Sequence, residues 1–344
     1  MLIFIYLISL VILISLLNQY CLKNDYLLSV TGDTHQKFAS NTKIPLTGGI
    51  FIYLSLFFFF NYLDFLLYVF SSLILLLGFI SDLKLINSAN RRLLIQILIV
   101  LSYIFLSNLQ ITDTKIYFLD NLLSIKYVNH LFVIFCILIL INGSNFIDGL
   151  NTLNIGYFLF ICLIIIYLIL NNIIFVSDYY IYKNLTLVLL FLYLLNFKNK
   201  LFLGDSGSYL LGFFFSIILI NLYNTNNHIS PFFIVLLVWY PSYENLFSII
   251  RKKISNRSTM KPDSNHLHQL FFFFIKKKFL IKTTYANLLS ANLINIFNFL
   301  VFFISLNFIS KTKIIIIFII FNLIVYTLSY YVLFNYRYKK IKQP

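Results

Sequence analysis

Five polar side chains stand three residues apart in the stretch NGSNFIDGLNTLN: Asn142, Asn145, Asp148, Asn151 and Asn154. Nearly pure hydrocarbon flanks this stretch on both sides. Each step of three turns an α-helix by about 300°, so one polar stripe along a single helix is disfavoured. A helix end that opens into a loop, or a 3₁₀ turn, would keep these side chains together. Asn can bind a hard cation or a base edge, and Asp can accept a proton or hold a metal ion. The stretch therefore predicts part of a binding or catalytic site.

A further acidic residue, Asp205, stands in FLGDSGS directly before an apolar segment. Asp and Ser are favoured at helix N-caps, so one interpretation is a capped helix N-terminus. The other is a magnesium ligand, because Mg²⁺ takes one or two carboxylates and completes its shell with water and substrate phosphate. Both stay open, since a helix N-terminus also attracts phosphate.

Asp82 follows another apolar segment and precedes Lys84, Arg91 and Arg92 in GFISDLKLINSANRR. These cations could pair with lipid or nucleotide phosphates. The alternative is that they only anchor the loop at the inner membrane face, with Asp82 solvated. The stretch PLTGG is less specific, because its glycines indicate either the start of a helix or a close backbone approach.

His266 and His268 stand two residues apart in KPDSNHLHQL, beside Asp263. In an extended segment both imidazoles would face one way. Contact with a diphosphate is favoured over a zinc site, because the sequence places no cysteine or third histidine near them. Two solvated loop histidines are the alternative for this motif taken alone.

The segments between these motifs are apolar enough to cross a membrane. Of the 344 residues, 60% are hydrophobic and 11% are charged, and the mean hydropathy is +0.90. A soluble domain of this size could not bury so much apolar surface. The three cysteines lie in or beside apolar segments and indicate no disulfide framework. Residues 1–20 lack the positive region of a signal peptide and are predicted to form a membrane helix.

We predict an all-α, polytopic membrane protein of about ten to eleven spanning helices, folded as one domain over residues 1–344. The spans are placed near 1–20, 49–60, 65–80, 91–107, 129–141, 155–172, 180–196, 209–222, 231–249, 284–308 and 314–335. With the N-terminus outside, only Lys115, Lys126, Lys183, Lys311 and Lys313 of the 26 Lys and Arg fall outside. This asymmetry follows the positive-inside rule, so the net charge of +15 reports orientation and indicates no nucleic-acid partner. Every motif loop, including 35–49 and 250–283, then lies on the cytoplasmic face.

Taken in order, these motifs resemble the polyprenyl-phosphate N-acetylhexosamine-1-phosphate transferases, a glycosyltransferase 4 type family related to phospho-N-acetylmuramoyl-pentapeptide transferase. The family pattern runs P-x-x-GG, an Asp-Asp pair, N-x-x-N-x-x-D-G-[IL]-[DN]-G-L, G-D-[AST]-G-S and P-D-x-x-H-[LI]-H-H. Within about residues 35–270 it is matched by Pro45/Gly48/Gly49, Asp82, Asn142/Asn145/Asp148/Asn151, Gly204-Asp205 and Pro262-Asp263…His266-Leu267-His268. Three positions depart from it: Ser81 replaces the first Asp of the pair, Thr152 a Gly, and Gln269 the last His.

The resemblance implies that polyprenyl phosphate attacks the β-phosphate of a UDP-sugar, giving polyprenyl-diphospho-sugar and UMP. It implies undecaprenyl phosphate, a UDP-N-acetylhexosamine (UDP-GlcNAc by default) and membrane lipid as partners, and a homodimer stays open. The implied cofactor is Mg²⁺, or alternatively Mn²⁺, held by Asn145 and Asp205. The implied catalytic residues are Asp82, Asp148, His266 and His268, and the implied substrate-binding residues are Arg91, Asn151, Phe202 and Asp263. Asp82 would accept a proton from the lipid phosphate or orient it, Arg91 would pair with phosphate, and Asn151 and Phe202 would bind uracil.

The resemblance further implies an enzyme of the bacterial inner membrane that initiates cell-envelope polysaccharide synthesis, with its active site facing the cytoplasm. Lipid I synthesis is the alternative within the same chemistry. A secondary transporter or flippase is the alternative from another class, but it would place ionisable groups near the bilayer midplane. Glu244 is the acid nearest to that description. A structural scaffold would not need these motifs together.

Overall fold

The computed structural model describes residues 2–29, 43–58, 63–256, 258 and 263–339. Residues 35–42 of the motif loop 35–49, and Pro262, lie outside these ranges. Where the structure describes the chain, it forms no strand beyond an isolated antiparallel bridge between Leu28 and Pro45. The helices are α1 (Leu2–Lys23), α2 (Gly48–Phe58), α3 (Phe65–Asp82), α4 (Ala89–Ser107), α5 (Tyr117–Leu123), α6 (Lys126–Ile147), α7 (Leu153–Leu170), α8 (Tyr179–Phe197), α9 (Gly204–Thr225), α10 (Pro231–Leu237), α11 (Trp239–Ile254), α12 (Leu267–Phe279), α13 (Thr283–Ser305) and α14 (Thr312–Lys339).

Among the described residues, 9 helices are long and apolar enough to cross a membrane, or 10 if α10 and α11 form one span. The prediction of an all-α, multi-pass membrane protein is thereby confirmed. Helix α2 is apolar but only 11 residues long. At about 1.5 Å per residue it is shorter than a bilayer core.

Helix α9 is the central element, buried along most of its length and packed against α2, α3, α6, α7 and α10. Small residues allow its neighbours to approach closely. A Cβ on Gly78 of α3 would lie 2.3 Å from the Cα of Ser206, and one on Gly212 would lie 2.6 Å from the Cα of Ile141 in α6. Membrane helices commonly pack through such small residues, because apolar burial between helices gains little in lipid. This packing holds the first turn of α9 against the end of α3.

The prediction of one continuous span over 231–249 was wrong, because α10 and α11 are bent by 73° at Val238. Pro241 has no N–H to donate to the carbonyl of Leu237, four residues earlier, and its ring would clash with that carbonyl. The Tyr157 hydroxyl donates to the Leu237 carbonyl instead, at 2.9 Å. A break in a membrane helix persists where a neighbouring side chain binds the freed backbone group.

The predicted loop over 250–283 contains a helix that was not predicted, because α12 occupies part of it. Its N-cap, His266, donates its backbone N–H to the Gln269 side chain at 3.3 Å. Phe272 and Ile275 are buried, and the helix packs on α13 and α14. The short α5 was not predicted either.

Candidate active site

The Asp82 carboxylate, at the end of α3, caps the N-terminus of α9. It accepts the backbone N–H groups of Asp205 and Ser206 at 2.8 and 3.1 Å. Gly204 makes room for it, because this residue has φ +69° and an added Cβ would lie 2.6 Å from Asp82 Oδ2. A carboxylate is favoured at a helix N-terminus, where the unpaired N–H groups carry partial positive charge.

The Asp205 carboxylate does not cap its own helix, whose N-cap residue is Leu203. Its Oδ1 accepts from the Asn145 amide at 2.7 Å. Its Oδ2 accepts from Ser81 Oγ at 2.5 Å and from Arg92 Nη1 at 2.8 Å. Three neighbouring helices therefore orient this carboxylate, and the N-cap interpretation does not hold.

Arg92 takes the place beside the carboxylates that the resemblance implied for Arg91. Arg92 pairs with Asp205, donates to Ser81 Oγ at 2.8 Å and lines the cavity described below. Arg91 is exposed and lies outside that lining. Successive residues on a helix are about 100° apart, so α4 turns one arginine toward α9 and its neighbour away.

The polar stretch from Asn142 to Asn154 is a helix end that opens into a turn, as predicted. Asn142 and Asn145 lie in the last turns of α6, and Asp148 is its C-cap. Asn151 lies in the turn, and Asn154 in the first turn of α7. Asn154 is buried against Ser144, with which it exchanges hydrogen bonds at 3.1 and 3.2 Å. The other four members line the cavity.

Asp148 lies within the electric field of the other two acids of the site. Burial raises the pKa of its carboxyl well above the ordinary value, and the charges of Asp205 and Asp82 raise it further. The C-terminal end of α6 carries negative partial charge and acts in the same direction. The Asp148 carboxylate is therefore a stronger base than a solvated one.

His266 is held between two carboxylates. Its Nδ1 lies 2.9 Å from Glu244 Oε1, and its Nε2 lies 3.4 Å from Asp263 Oδ1. Asp263 also pairs with Arg251 at 2.8 Å. Burial opposes ionisation of Asp263, but the hydrogen bond from Arg251 and the His266 and Arg251 charges outweigh it, so its pKa is lowered. Glu244, which could have indicated a transporter, instead orients a residue of this site.

His268 lies behind His266 and not beside it in the cavity. The two rings stack with centroids 5.6 Å apart and planes 15° apart. His268 is 0% exposed and is not among the lining residues, whereas His266 and Asp263 are. Direct contact of His268 with a diphosphate or sugar does not fit this position, because α12 begins at Leu267 and turns the second imidazole inward.

Asn151 and Phe202 line the same cavity, each held by backbone contacts. The Asn151 N–H donates to Asn287 Oδ1 at 2.8 Å, and its side-chain amide donates to Asn199 Oδ1. The Phe202 N–H donates to the Pro45 carbonyl at 2.8 Å, and its carbonyl accepts from the Gly48 N–H at 2.9 Å. PLTGG is therefore a close backbone approach as well as the start of α2.

These side chains surround one cavity of about 950 Å³ where several helix ends meet. Sequence reasoning placed Asp82, Asp148 and Asp205 together correctly. It named Arg92 among the cations but assigned the phosphate to Arg91, and it assigned no role to Asn196, Lys252 or Gln269, which also line the cavity. Lys252 is only 5% exposed, although a run of basic residues ordinarily indicates a solvated surface. The sequence signal that could have identified Arg92 is its four-residue spacing from Gln96, which puts both side chains on one face of α4. Gln96 accepts a hydrogen bond from Asn142 of the same polar stretch.

The donor set suits a hard cation held partly by substrate. In the described parts of the chain, no group of three or more His, Cys, Asp or Glu side chains lies close enough to enclose a metal ion. Mg²⁺ needs only one or two carboxylates beside water and phosphate oxygens. Asp205, Asp148 and the Asn145 amide line one cavity and offer oxygen ligands of this kind.

Comparison with known proteins places this arrangement in a wider group. The sequence model described as glycosyl transferase family 4 matches residues 65–223. The chain is 26% identical over 208 residues to the probable undecaprenyl-phosphate N-acetylglucosaminyl 1-phosphate transferase of Bacillus subtilis, covering 59% of this chain and 56% of that protein. It is 32% identical over 72 residues to the undecaprenyl-phosphate alpha-N-acetylglucosaminyl 1-phosphate transferase of Thermotoga maritima, covering 21% of this chain and 23% of that protein. The chain thus matches about half the length of the first relative and about a quarter of the second.

Proposed function

We propose, since the family model described as glycosyl transferase family 4 matches residues 65–223, that the chain is a sugar-phosphate transferase acting on undecaprenyl phosphate. The donor we propose is a UDP-N-acetylhexosamine, with UDP-GlcNAc as the default, and the second product is UMP. The printed names of both relatives support the lipid acceptor and the N-acetylglucosaminyl 1-phosphate group.

The observation that carries this proposal is the composition of this cavity. It gathers four carboxylates with Arg92 and Lys252, and it adds Asn151 and Phe202. Cations suit the phosphates, while an amide and an aromatic ring suit a nucleobase. Phosphoryl transfer needs positioning and charge neutralisation more than covalent work by the protein, and this lining supplies both.

In the reaction, an oxygen of the lipid phosphate attacks the β-phosphorus of the UDP-sugar. A new P–O bond forms, the bond from that phosphorus to the bridging oxygen breaks, and UMP leaves with the electron pair. We assign Asp148 to accept a proton from the lipid phosphate, because it lines the cavity, its pKa is raised, and both oxygens of Asp82 already accept backbone N–H groups. His266, oriented by Glu244 and Asp263, engages the diphosphate or sugar.

Asp82 acts in this proposal as a positioning residue. Both its oxygens accept backbone N–H groups of α9, so it holds Asp205 in place and leaves the proton to Asp148. Asp205, with Asn145, would hold Mg²⁺, or Mn²⁺ in its place. The bound cation would neutralise diphosphate charge.

The orientation we propose places the cavity on the cytoplasmic face of a bacterial inner membrane. The distribution of Lys and Arg along the sequence supports it, since most of them fall in loops on that side. There a soluble nucleotide sugar can meet a lipid phosphate at headgroup level.

A secondary transporter is a second candidate, because Glu244 is 1% exposed and lies beside the break between α10 and α11. The pairing of Glu244 with His266, which lines the cavity, favours the transferase.

The test is UMP release by purified protein from undecaprenyl phosphate and a panel of UDP-sugars, without any transmembrane gradient. Asp205→Asn should reduce turnover by at least about a hundredfold, as loss of a preorganised electrostatic group commonly does. Asp178→Asn is the matched control. Asp178 precedes the start of α8, whereas Asn196, which lines the cavity, lies near the end of this helix. No UMP from any donor, or near-normal turnover of Asp205→Asn, would overturn the proposal.

A further inference from the structure

The turn formed by Asn151 and Thr152 has a backbone conformation that its sequence disfavours. Thr152 has φ +68°, in the left-handed region, where a β-branched residue is strained and glycine is not. The family pattern carries glycine at this position. Something outside the turn must therefore hold it, and Thr152, at 1% exposure, is surrounded by other helices.

Three buried asparagines from other helices bind the backbone of this turn. Asn196, near the end of α8, accepts the Thr152 N–H at 2.6 Å. The other two lie in α13. Asn287 accepts the Asn151 N–H at 2.8 Å, and Asn295 donates to the Thr152 carbonyl at 3.1 Å. Each amide satisfies a backbone group that would be costly to bury unpaired.

Asn196 differs from the other two because it makes a second contact, to a different motif. Its Nδ2 donates to the Leu201 carbonyl at 2.8 Å, directly before Phe202. One side-chain amide, 4% exposed, thus joins the turn that carries Asn151 to the segment that carries Phe202. Pro45 and Gly48 hold Phe202 from its other side. The separation of Asn151 and Phe202 therefore depends on the Asn196 side chain, together with the hydrogen bond from the Asn151 amide to Asn199 in the same segment.

We propose that Asn196 is a positioning residue that sets the spacing of Asn151 and Phe202 and thereby the affinity for a uracil nucleotide. This inference rests on the proposed function, in which Asn151 and Phe202 bind the base. Asn196 itself need not touch the nucleotide. Its replacement shifts two base-binding groups relative to each other and leaves Asp205, Arg92 and His266 in place, because none of their hydrogen bonds involves Asn196.

Two substitutions separate positioning from simple support of the fold. Asn196→Ala removes both contacts. Asn196→Asp is nearly isosteric and keeps an acceptor for the Thr152 N–H, but an ionised carboxylate has no N–H for the Leu201 carbonyl. Asn298→Ala is the matched control: Asn298 is 1% exposed, and its amide donates to Ile294 of its own helix.

The measurements are kcat and KM for the UDP-sugar, and the dissociation constants of UMP and of inorganic pyrophosphate, all with the full chain. Both Asn196 variants should raise KM and the UMP dissociation constant about tenfold, which corresponds to about 1.4 kcal/mol. Their kcat and pyrophosphate affinity should stay within about twofold of the unmodified protein, and Asn298→Ala should leave all four values unchanged.

Asn196 variants that bind UMP as Asn298→Ala does would overturn the inference, as would an equal loss of UMP and pyrophosphate binding. If Asn196→Ala does not fold, the isosteric Asn196→Asp decides the question. A protein with unaltered sequence that neither binds UMP nor releases it would overturn the proposed function instead, so the two failures are distinguishable.

Discussion

Replacing Asp82 and Asp148 by asparagine, one at a time, should change stability in opposite directions while abolishing most of the activity in both cases. An amide at position 82 keeps one acceptor for the two N–H groups that the carboxylate binds. The NH₂ group of the amide cannot accept the second N–H, and a buried N–H left without an acceptor costs about 1–3 kcal/mol. Asp82→Asn should therefore lower the free energy of unfolding by about 1–3 kcal/mol.

At Asp148 the sign is reversed. Its pKa is raised in the folded protein, so the folded state binds the proton more tightly than the unfolded chain does. The stability that the protonated Asp148 contributes is lost as pH rises from the pKa of the unfolded chain, about 3.9, through the raised pKa of the folded protein. Asp148→Asn removes this dependence and should make the protein more stable than the unmodified chain at neutral pH.

The assay is thermal unfolding in detergent between acidic and neutral pH, with UMP release measured on the same samples and Asp178→Asn as the control. An unfolding temperature for Asp82→Asn equal to that of the unmodified protein would contradict the capping role. A less stable Asp148→Asn at neutral pH would contradict the argument from buried, repelling carboxylates.

Three further predictions concern single positions. Arg92→Lys should reduce UMP release by about tenfold or more, because lysine lacks the planar group that reaches Asp205. Arg91→Lys should leave turnover unchanged, and equal losses in the two variants would refute the choice of Arg92. Thr152→Gly should be more stable to unfolding than Thr152→Ala by about 1 kcal/mol. A left-handed conformation costs alanine about 1–2 kcal/mol, and the greater chain entropy of unfolded glycine offsets part of this difference. The opposite order in thermal unfolding would refute the prediction. Ser81→Asp should add repulsion beside Asp205, so its unfolding temperature should rise more steeply with added MgCl₂ than that of the unmodified protein; parallel curves would contradict this.

The sequence predicted most of the spans because their length and hydropathy are local properties. Helix α12 depends on tertiary packing, since Phe272 and Ile275 are buried on other helices while its lysine run resembles a loop. The break at Val238 escaped prediction because Pro241, read alone, is compatible with the first turn of a helix. Its consequence for the preceding turn is visible only once Tyr157 is seen to bind the Leu237 carbonyl.

The site could be predicted as a set of motifs but not as a set of orientations. Charge asymmetry brought the loops of Asp82, Asp148 and Asp205 to one face, and they line one cavity. Sequence spacing could not tell which of Arg91 and Arg92 faces α9, because that depends on the rotation of α4. Nor could it show that His268 lies behind His266, because the start of α12 was not predicted.

The three departures from the family pattern each have a hydrogen-bond partner in the structure. Ser81 gives Asp205 a neutral donor, and Arg92 binds both. Thr152 adopts the conformation expected of glycine because asparagines from α8 and α13 hold its backbone. Gln269 accepts the backbone N–H of His266 and so helps to begin α12. A chain that had lost its activity would accumulate such changes without partners, so the departures support a site that still works, with the altered residues built into its positioning.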